Sequence, residues 1–522
     1  MAIRIAAVAF LLLAAGSPRL QAQSAKLGRI SFPNSGAKSA QPAFIRGMLL
    51  LHSFEYEDAA AAFREAQRAD PGFALAYWGE AMTHNHPVWN EQNLDTARAI
   101  LRRLAPTPEA RALKAPTARE RAWLETAEIL FGEGEKPRRD TLYSVALERL
   151  TMSYPDDREA QALFALSLMG LSQSVRNIPA YMRAGAIAQE VFFANPEHPG
   201  AAHYVIHAFD DAQHAPLGLR AARAYSKIAP GADHAQHMTS HIFLGLGMWE
   251  ETVAANEVAS FGAERDRAKW GPGHYTHWLG YALLQQGRFA EARRHLESVR
   301  PNLGSPPRVP RKAYLLAMRA HYLVGTERWA DPVTAWTLDA EGAGPGPRAM
   351  DAFALGLAAI GRGDRATAEQ RLAEVERLAG GAEMADRYGA NAQVPGILAK
   401  ELRALLMLVD GKKDEALALL HEATAAEDSL PLEYGPPDIV KPTHELLGEV
   451  LLGLGDGAGA RREFERALQL APRRALSLLG LARAATMAGD RERAARAHAE
   501  LRKVWHRADG DVPWVREVAR QW

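Results

Sequence analysis

The chain is 522 residues long, and its 62 Lys and Arg balance its 62 Asp and Glu, so neither a basic face for nucleic acid nor an acidic tail for a cationic partner is present. It contains no cysteine, which excludes disulfides, thiolate nucleophiles and Cys-ligated zinc. Any metal site must be built from His, Asp, Glu or Tyr, in a chain long enough for several domains or one repeat array.

At the start, Arg4 precedes an apolar run from Ile5 to Ala15 and a more polar stretch with small Ala22 as the cleavage point. This pattern predicts a secretory signal peptide over 1–22, too short to span a bilayer as a helix. The mature protein is expected to be exported, periplasmic or secreted. No cysteine follows for lipid attachment, and no later apolar run is long enough to span a membrane.

From Ala37 the pattern is helical. Gly47, Ala59, Phe63, Ala66 and Pro71 fall at the positions of a 34-residue helix–turn–helix unit: small residues let the helices approach, Phe fills the seam, and Pro ends the second helix. Leu447, Gly448, Gly455, Ala460, Phe464, Ala467 and Pro472 repeat that register, and Leu481, Ala482, Gly489 and Ala494 open a further copy. On these residues the chain resembles the tetratricopeptide repeat (TPR) superfamily. The resemblance implies an all-α fold, a right-handed TPR-like α-solenoid with a concave inner face, and a small molecule or peptide in the groove as partner. The segment RPNLGSPPRVP at 300–310 breaks the pattern, which predicts one solenoid over 23–300 and a second over 311–522, with a Pro-rich break at 301–310. GAGPGPR at 342–348 is a second break, and SLPLEYGPPDIVKP at 429–442 reads as a lid or a plain connection.

The middle units carry the chemistry. Pro230 as a terminal proline starts one unit at 199, Gly247 as a turn glycine starts the next at 233, and Gly287 starts a third at 273. Positions 2, 5 and 9 of each first helix share one face. They are Gly200, His203, His207, His234, His237, His241, His274, His277 and Tyr281. Seven of nine are His, far more than 18 His among 522 residues would place there by chance.

A single His on a helix face is most often a packed, hydrogen-bonded residue. Seven on one surface cannot all stay charged without a partner, and i,i+3 and i,i+4 pairs are the spacing by which two imidazoles reach one ion. The predicted metal ligands are therefore His203, His207, His234, His237, His241, His274 and His277. Nitrogen ligands suit zinc, copper, iron or nickel. His234 and His241 stand ~10.5 Å apart along their helix, which predicts two ions, or one with a fringe of further histidines. Ala235 and Gln236 follow His234, so HExxH is missing. Asp210, Asp211 and Tyr281 are the catalytic candidates, and Met238 reads as core.

Lesser candidates are His84 and His86 with Glu80, and Glu445 and Glu449 beside His444, a pair more often solvated. The aromatic residues read as core, with Trp78 and Tyr281 as inner-face exceptions. The strings HSFEYEDAAAAFREAQ, YWGEAMTHNHPVW and HAQHMTSHIFLGLGMWEE resemble a group of exported bacterial TPR proteins with a His-rich HAxHMxSHIF motif. That implies fold and export and carries no activity.

Three readings follow: a metalloprotein (a hydrolytic or oxidative enzyme, or a carrier), a metal-free TPR scaffold for a protein or peptide, and a pH sensor. An open His face favours a carrier. A face roofed by the 84–90 turn and the 429–442 loop favours a resident ion.

Overall fold

The computed structural model describes residues 26–172, 176–264, 269–381, 392–432 and 434–520; the expected leader over 1–22 lies outside them. Among the described residues there are 25 α-helices and one hairpin of two-residue strands, β1 (Asn85–His86) and β2 (Glu91–Gln92). The first units are α1 (Gln41–His52) with α2 (Tyr56–Ala69), α3 (Ala74–Met82) with α4 (Leu94–Leu104), the short α5 (Pro108–Ala112), and α6 (Ala118–Leu130) with α7 (Lys136–Ser153). Then come α8 (Arg158–Gly170) with α9 (Ile178–Ala194), α10 (Pro199–Ala208) with α11 (Ala215–Ile228), α12 (Asp233–Gly245) with α13 (Trp249–Ala263), and α14 (His274–Gln285) with α15 (Phe289–Val299). A single α16 (Val309–Thr326) precedes α17 (Pro345–Gly361) with α18 (Arg365–Gly380) and α19 (Val394–Val409) with α20 (Lys413–Asp428). The chain ends with α21 (Thr443–Gly453) and α22 (Gly457–Leu470), α23 (Ala475–Met487) and α24 (Arg491–Val504), and α25 (Pro513–Arg520). Most helices pack on their sequence neighbours, the mark of an all-α solenoid. None of the described helices is long and apolar enough to cross a membrane.

The turns explain the pairing. In six units the residue two past the first helix is a left-handed glycine, Gly247, Gly287, Gly363, Gly411, Gly455 or Gly489, with φ between +64° and +90°. The amide two residues before the second helix's N1 or its neighbour then bonds back into the first helix: Gly247 N–H to Leu244 O (2.9 Å) and Met248 N–H to Phe243 O (2.7 Å).

The stack curls until distant units touch. Near the N-terminus Arg29 N–H donates to Glu197 O (2.9 Å) and Gly231 N–H to Lys26 O (3.1 Å). The C-terminal units close on the middle ones: Trp249 Nε1 donates to Arg473 O (3.0 Å), Ala475 N–H to Gln285 Oε1 (2.9 Å), and Asp509 N–H to Gly287 O (3.0 Å). At Gly247 a Cβ would lie 2.3 Å from Pro472 O. Gly247→Ala therefore meets two penalties, about 1–2 kcal/mol for an L-residue in the left-handed region and a backbone clash across the closure. Faster amide exchange at 472–475 is the expected result, and unchanged protection there would count against the closure.

The buried apolar side chains form two large clusters that meet inside α12, at Phe243 and Leu244. The Pro-rich 301–310 segment connects α15 to α16, and α14 packs on α16 across it. Met238 is core, as expected. Trp78 is not at an open inner face: all of α3 is buried, and the Trp78 indole packs on Trp123 and donates to Thr126 Oγ1 (3.0 Å).

Candidate metal centre

Three groups of side chains each bring three ligand atoms within 4.8 Å of one another: His203, His207 and His234; His237, His241 and His274; and His52, Glu159 and His198. The first two follow one rule. Positions 5 and 9 of one first helix join position 2 of the next, so α10 and α12 build station one, and α12 and α14 build station two. His234 and His241 share a helix but serve different stations, in keeping with two ions rather than one.

In station one, His203 Nδ1 donates to the His52 backbone carbonyl (2.7 Å), which leaves a lone pair on Nε2. The Nε2 atoms of His203, His207 and His234 are all buried without a hydrogen-bond partner. Buried polar atoms are almost always paired, so three orphans in one cluster call for a shared ligand.

Station two makes the same point through its tautomers. Asn256 Nδ2 donates to Thr252 O (2.8 Å), so its Oδ1 faces His237 Nδ1 at 2.6 Å and accepts that proton. His241 Nδ1 donates to the Asp210 carboxylate. Both rings thus point a lone pair inward, and their Nε2 atoms stand 2.9 Å apart. Such a contact is repulsive unless a cation, a proton or a metal ion, lies between the two. The carboxylate–His and amide–His bonds are the outer-shell supports that orient metal-bound imidazoles.

Burial, then neighbouring imidazoles, pushes His203, His207, His234 and His237 well below the usual imidazole range. His274 is lowered to about 3 by burial and by His241. Neutral rings are what a metal ion requires.

The third group reads differently. Ala201 N–H donates to His198 Nδ1 (3.1 Å), so the His198 proton sits on Nε2, which faces Glu159 Oε1 at 3.3 Å. His52 Nδ1 accepts from the Tyr204 hydroxyl (2.8 Å), and its Nε2 donates to Glu159 Oε2 (2.7 Å). Burial pushes the Glu159 carboxyl up, but the two imidazoles dominate and hold it at about 2. The Glu159 carboxylate holds this group together through His52, although His198 Nε2 and Glu159 Oε1 make no hydrogen bond. It ties α1 to α8 and α10, and so positions the carbonyl that orients His203.

Both stations are roofed. Phe54 lies over station one, its ring 4.3 Å from His203 and 5.6 Å from His234, with Trp89 of the 84–90 turn 6.2 Å from His234. Phe54 occupies the left-handed turn position that glycine fills in six other units, with φ +58°; the conformation costs about 1–3 kcal/mol. Trp278 packs on His241 at 4.3 Å, and Tyr434 of the 429–442 loop lies 5.4 Å from the same ring.

The other sequence candidates fall outside the stations. His277 meets His321 instead, Nε2 to Nδ1 at 3.2 Å, and the His321 Nε2 lies 3.1 Å from Pro437 O, which pins the 429–442 loop. Asp210 orients His241 and is not a free base. Asp211 accepts from the amides of Gln213 and His214 and pairs with Arg176 (3.0 Å), so it shapes the turn after α10. The Tyr281 hydroxyl accepts from Arg474 (2.9 Å), away from both triads. Glu80 is buried with Arg103 and Gln67, and His86 stacks on Tyr56 at 4.0 Å. Glu445 and Glu449 are not a solvated pair: the repeat packing buries Glu445 between Arg474 and Lys441, and Lys441 also holds Glu449 (2.5 Å). Phe54, Asn256, His321 and Arg474 are the residues that sequence reasoning missed.

Burial lowers the His321 imidazole to about 4, partly offset by its two backbone contacts. The folded value lies below the unfolded one of 6.5, so the unfolded chain binds the extra proton. The His321 contribution is complete above pH 6.5 and is lost as pH falls through the window down to about 4, at ~1.4 kcal/mol per unit and roughly 3 kcal/mol in all. Denaturation midpoints measured against pH should show a shallower acid slope in His321→Gln; identical slopes would refute the assignment.

Residues 273–298 and 442–466 match the family model described as tetratricopeptide repeat. No curated protein sequence matches the chain. Among solved structures, the human IFIT1 dimer with m7Gppp-AAAA is similar at 12% identity over 91% of this chain and 91% of that one, with a TM-score of 0.38. Yeast Tom70 is similar at 12% identity over 93% and 99%, TM-score 0.37. The Cut9 component of the APC/C hetero-tetramer Cut9–Hcn1 gives 12% over 87% and 78%, TM-score 0.34. Likeness of this degree carries nothing about ligands. Two units thus match the tetratricopeptide repeat model directly, and helix pairs run through the rest of the described residues as in a TPR-like solenoid.

Proposed function

We propose that this is an exported TPR-type solenoid that holds resident transition-metal ions at two three-histidine stations buried in its curl, and that its chemistry takes place there. The observation that carries the reading is the inward set of lone pairs: three orphaned Nε2 atoms in station one and the 2.9 Å Nε2–Nε2 contact in station two. Zinc, copper and iron all suit imidazole donors. The roof of Phe54, Trp89, Trp278 and Tyr434 favours a resident ion over one in rapid exchange. An ion there supplies Lewis acidity or redox chemistry. Because Asp210 and Asp211 are both engaged, the hydrolytic form of the reading needs a base other than these two. The leader-like first residues and the likeness to exported bacterial TPR proteins support export.

The test is elemental analysis of untagged protein from its own compartment, beside His207→Ala and His241→Ala. Each variant should lose one ion per chain, while His277→Ala keeps both. No metal in the wild type, with reconstitution also failing, would return the protein to the scaffold class.

A further inference from the structure

The two stations are built from the same residue type in the same register and are buried alike, yet their surroundings differ in charge. Station two has a carboxylate in its outer shell, Asp210 on His241 Nδ1, and a polar amide, Asn256, on His237 Nδ1. Station one has neither. His203 is oriented by a backbone carbonyl, and among the described residues the Nε2 atoms of His207 and His234 bond no carboxylate. The nearby Glu55 carboxylate is spent on the α12 N-terminus, where Oε1 accepts from the His234 amide (3.1 Å).

The cover of station one is aromatic. The Phe54 ring contacts all three of its imidazoles, and Tyr225 stacks on His203 at 5.2 Å. The rings of Phe54 and Tyr225 lie against the triad, and among the described residues no hydrogen bond reaches its three buried Nε2 atoms. A divalent ion is poorly suited to such a place. Zinc is tetrahedral and wants a fourth ligand, and the cost of burying charge rises with its square, so two positive charges among neutral donors cost about four times one. A monovalent d10 ion content with three donors fits.

The repeat architecture supplies an independent argument. Gly247, Gly287, Gly363, Gly411, Gly455 and Gly489 all take the left-handed turn position, whereas the unit facing station one carries Phe54 there at φ +58°. A bulky residue in that conformation is a strained exception. Its ring contacts the triad, so the strain has a local use: it holds an aromatic lid over the metal donors.

Resting on the reading of the triads as metal stations, we infer that station one is a three-coordinate Cu(I) site kept dry by Phe54, and that station two holds a divalent ion.

The experiment titrates the full chain, metal-free and anaerobic, with Cu(I) and with Zn(II), separately and together. Metal content after gel filtration and X-ray absorption edges are the readouts. The expected result is one three-coordinate Cu(I), lost in His207→Ala, and one Zn(II), lost in His241→Ala. Phe54→Gly relieves the strained turn but deletes a buried ring, so its folding is checked by thermal melting beside the titrations. The variant should reduce the preference of station one for Cu(I) over Zn(II) at least tenfold, because water then completes a divalent shell. Zn(II) filling both wild-type stations with equal affinity overturns the inference, as does copper lost in His241→Ala but retained in His207→Ala. A preference unchanged within twofold in Phe54→Gly also overturns it. Uptake of neither ion defeats the metal reading itself, a distinct failure.

Discussion

His237→Ala should weaken Zn(II) binding at station two by about 10²–10³-fold while station one changes less than tenfold. A structural zinc site contributes about 10–16 kcal/mol over four ligands, or roughly 2.5–4 kcal/mol for each, which sets the scale. His237 carries more than its own share of the geometry. Its Nδ1 is fixed by Asn256, itself fixed by Thr252 O, and its Nε2 lies 2.9 Å from that of His241. With the ring gone, His241 and His274 remain, their rings 5.9 Å apart, and two donors make a poor site. Competition titration against a chelator measures the loss. Asn256→Ala keeps all three rings and loses only the orienting amide, so it should fall between the wild type and His237→Ala, by about 10–100-fold. Equal Zn(II) affinity in all three proteins would mean that the 2.9 Å contact holds a proton and not a metal ion.

What was legible in the sequence is the register. Pro230, Gly247 and Gly287 place first helices at 199, 233 and 273, and the helices begin at Pro199, Asp233 and His274. The inner-face histidines follow, because a period of 3.6 is a local property of the chain. How they divide is not local. Whether His234 joins its own helix partners or the pair on α10 depends on how far one unit advances past the next, and that is set by the packing of whole units. The supports are hidden for the same reason: Asn256 sits on a second helix, and the carbonyl that orients His203 belongs to His52, 151 residues away. Phe54 had a signal, the absence of glycine at a turn position that glycine fills six times. Glu445 and Glu449 misled because two carboxylates on one face look solvated until the cation 29 residues away, Arg474, is folded against them.

Arg474→Ala should cost about 3–5 kcal/mol of local stability, since it breaks a fully buried ion pair and leaves one partner behind. Arg474 Nε and Nη2 grip both oxygens of Glu445 at 2.8 and 2.9 Å, and Nη1 donates to Tyr281 on α14 at 2.9 Å. Burial pushes the Glu445 carboxyl up, but Arg474 and Lys441 dominate and hold it at about 2. Without the guanidinium, only Lys441 at 3.4 Å and Ser477 at 2.5 Å remain to stabilise it. The damage should spread toward the stations. Arg474 joins the C-terminal units to α14, and α14 carries His274, so loosening this contact loosens the curl that buries station two. Amide exchange on α23 and α14 should speed up together, at 25 °C by a factor of about 10²–10³ if opening is local. Replacing both partners, Arg474→Met with Glu445→Leu, removes the stranded charge and should recover most of the loss. If the double variant is as damaged as Arg474→Ala alone, the Tyr281 bond and not the ion pair holds the closure. If α14 exchanges normally in Arg474→Ala, the stations stay buried without help from the C-terminal units.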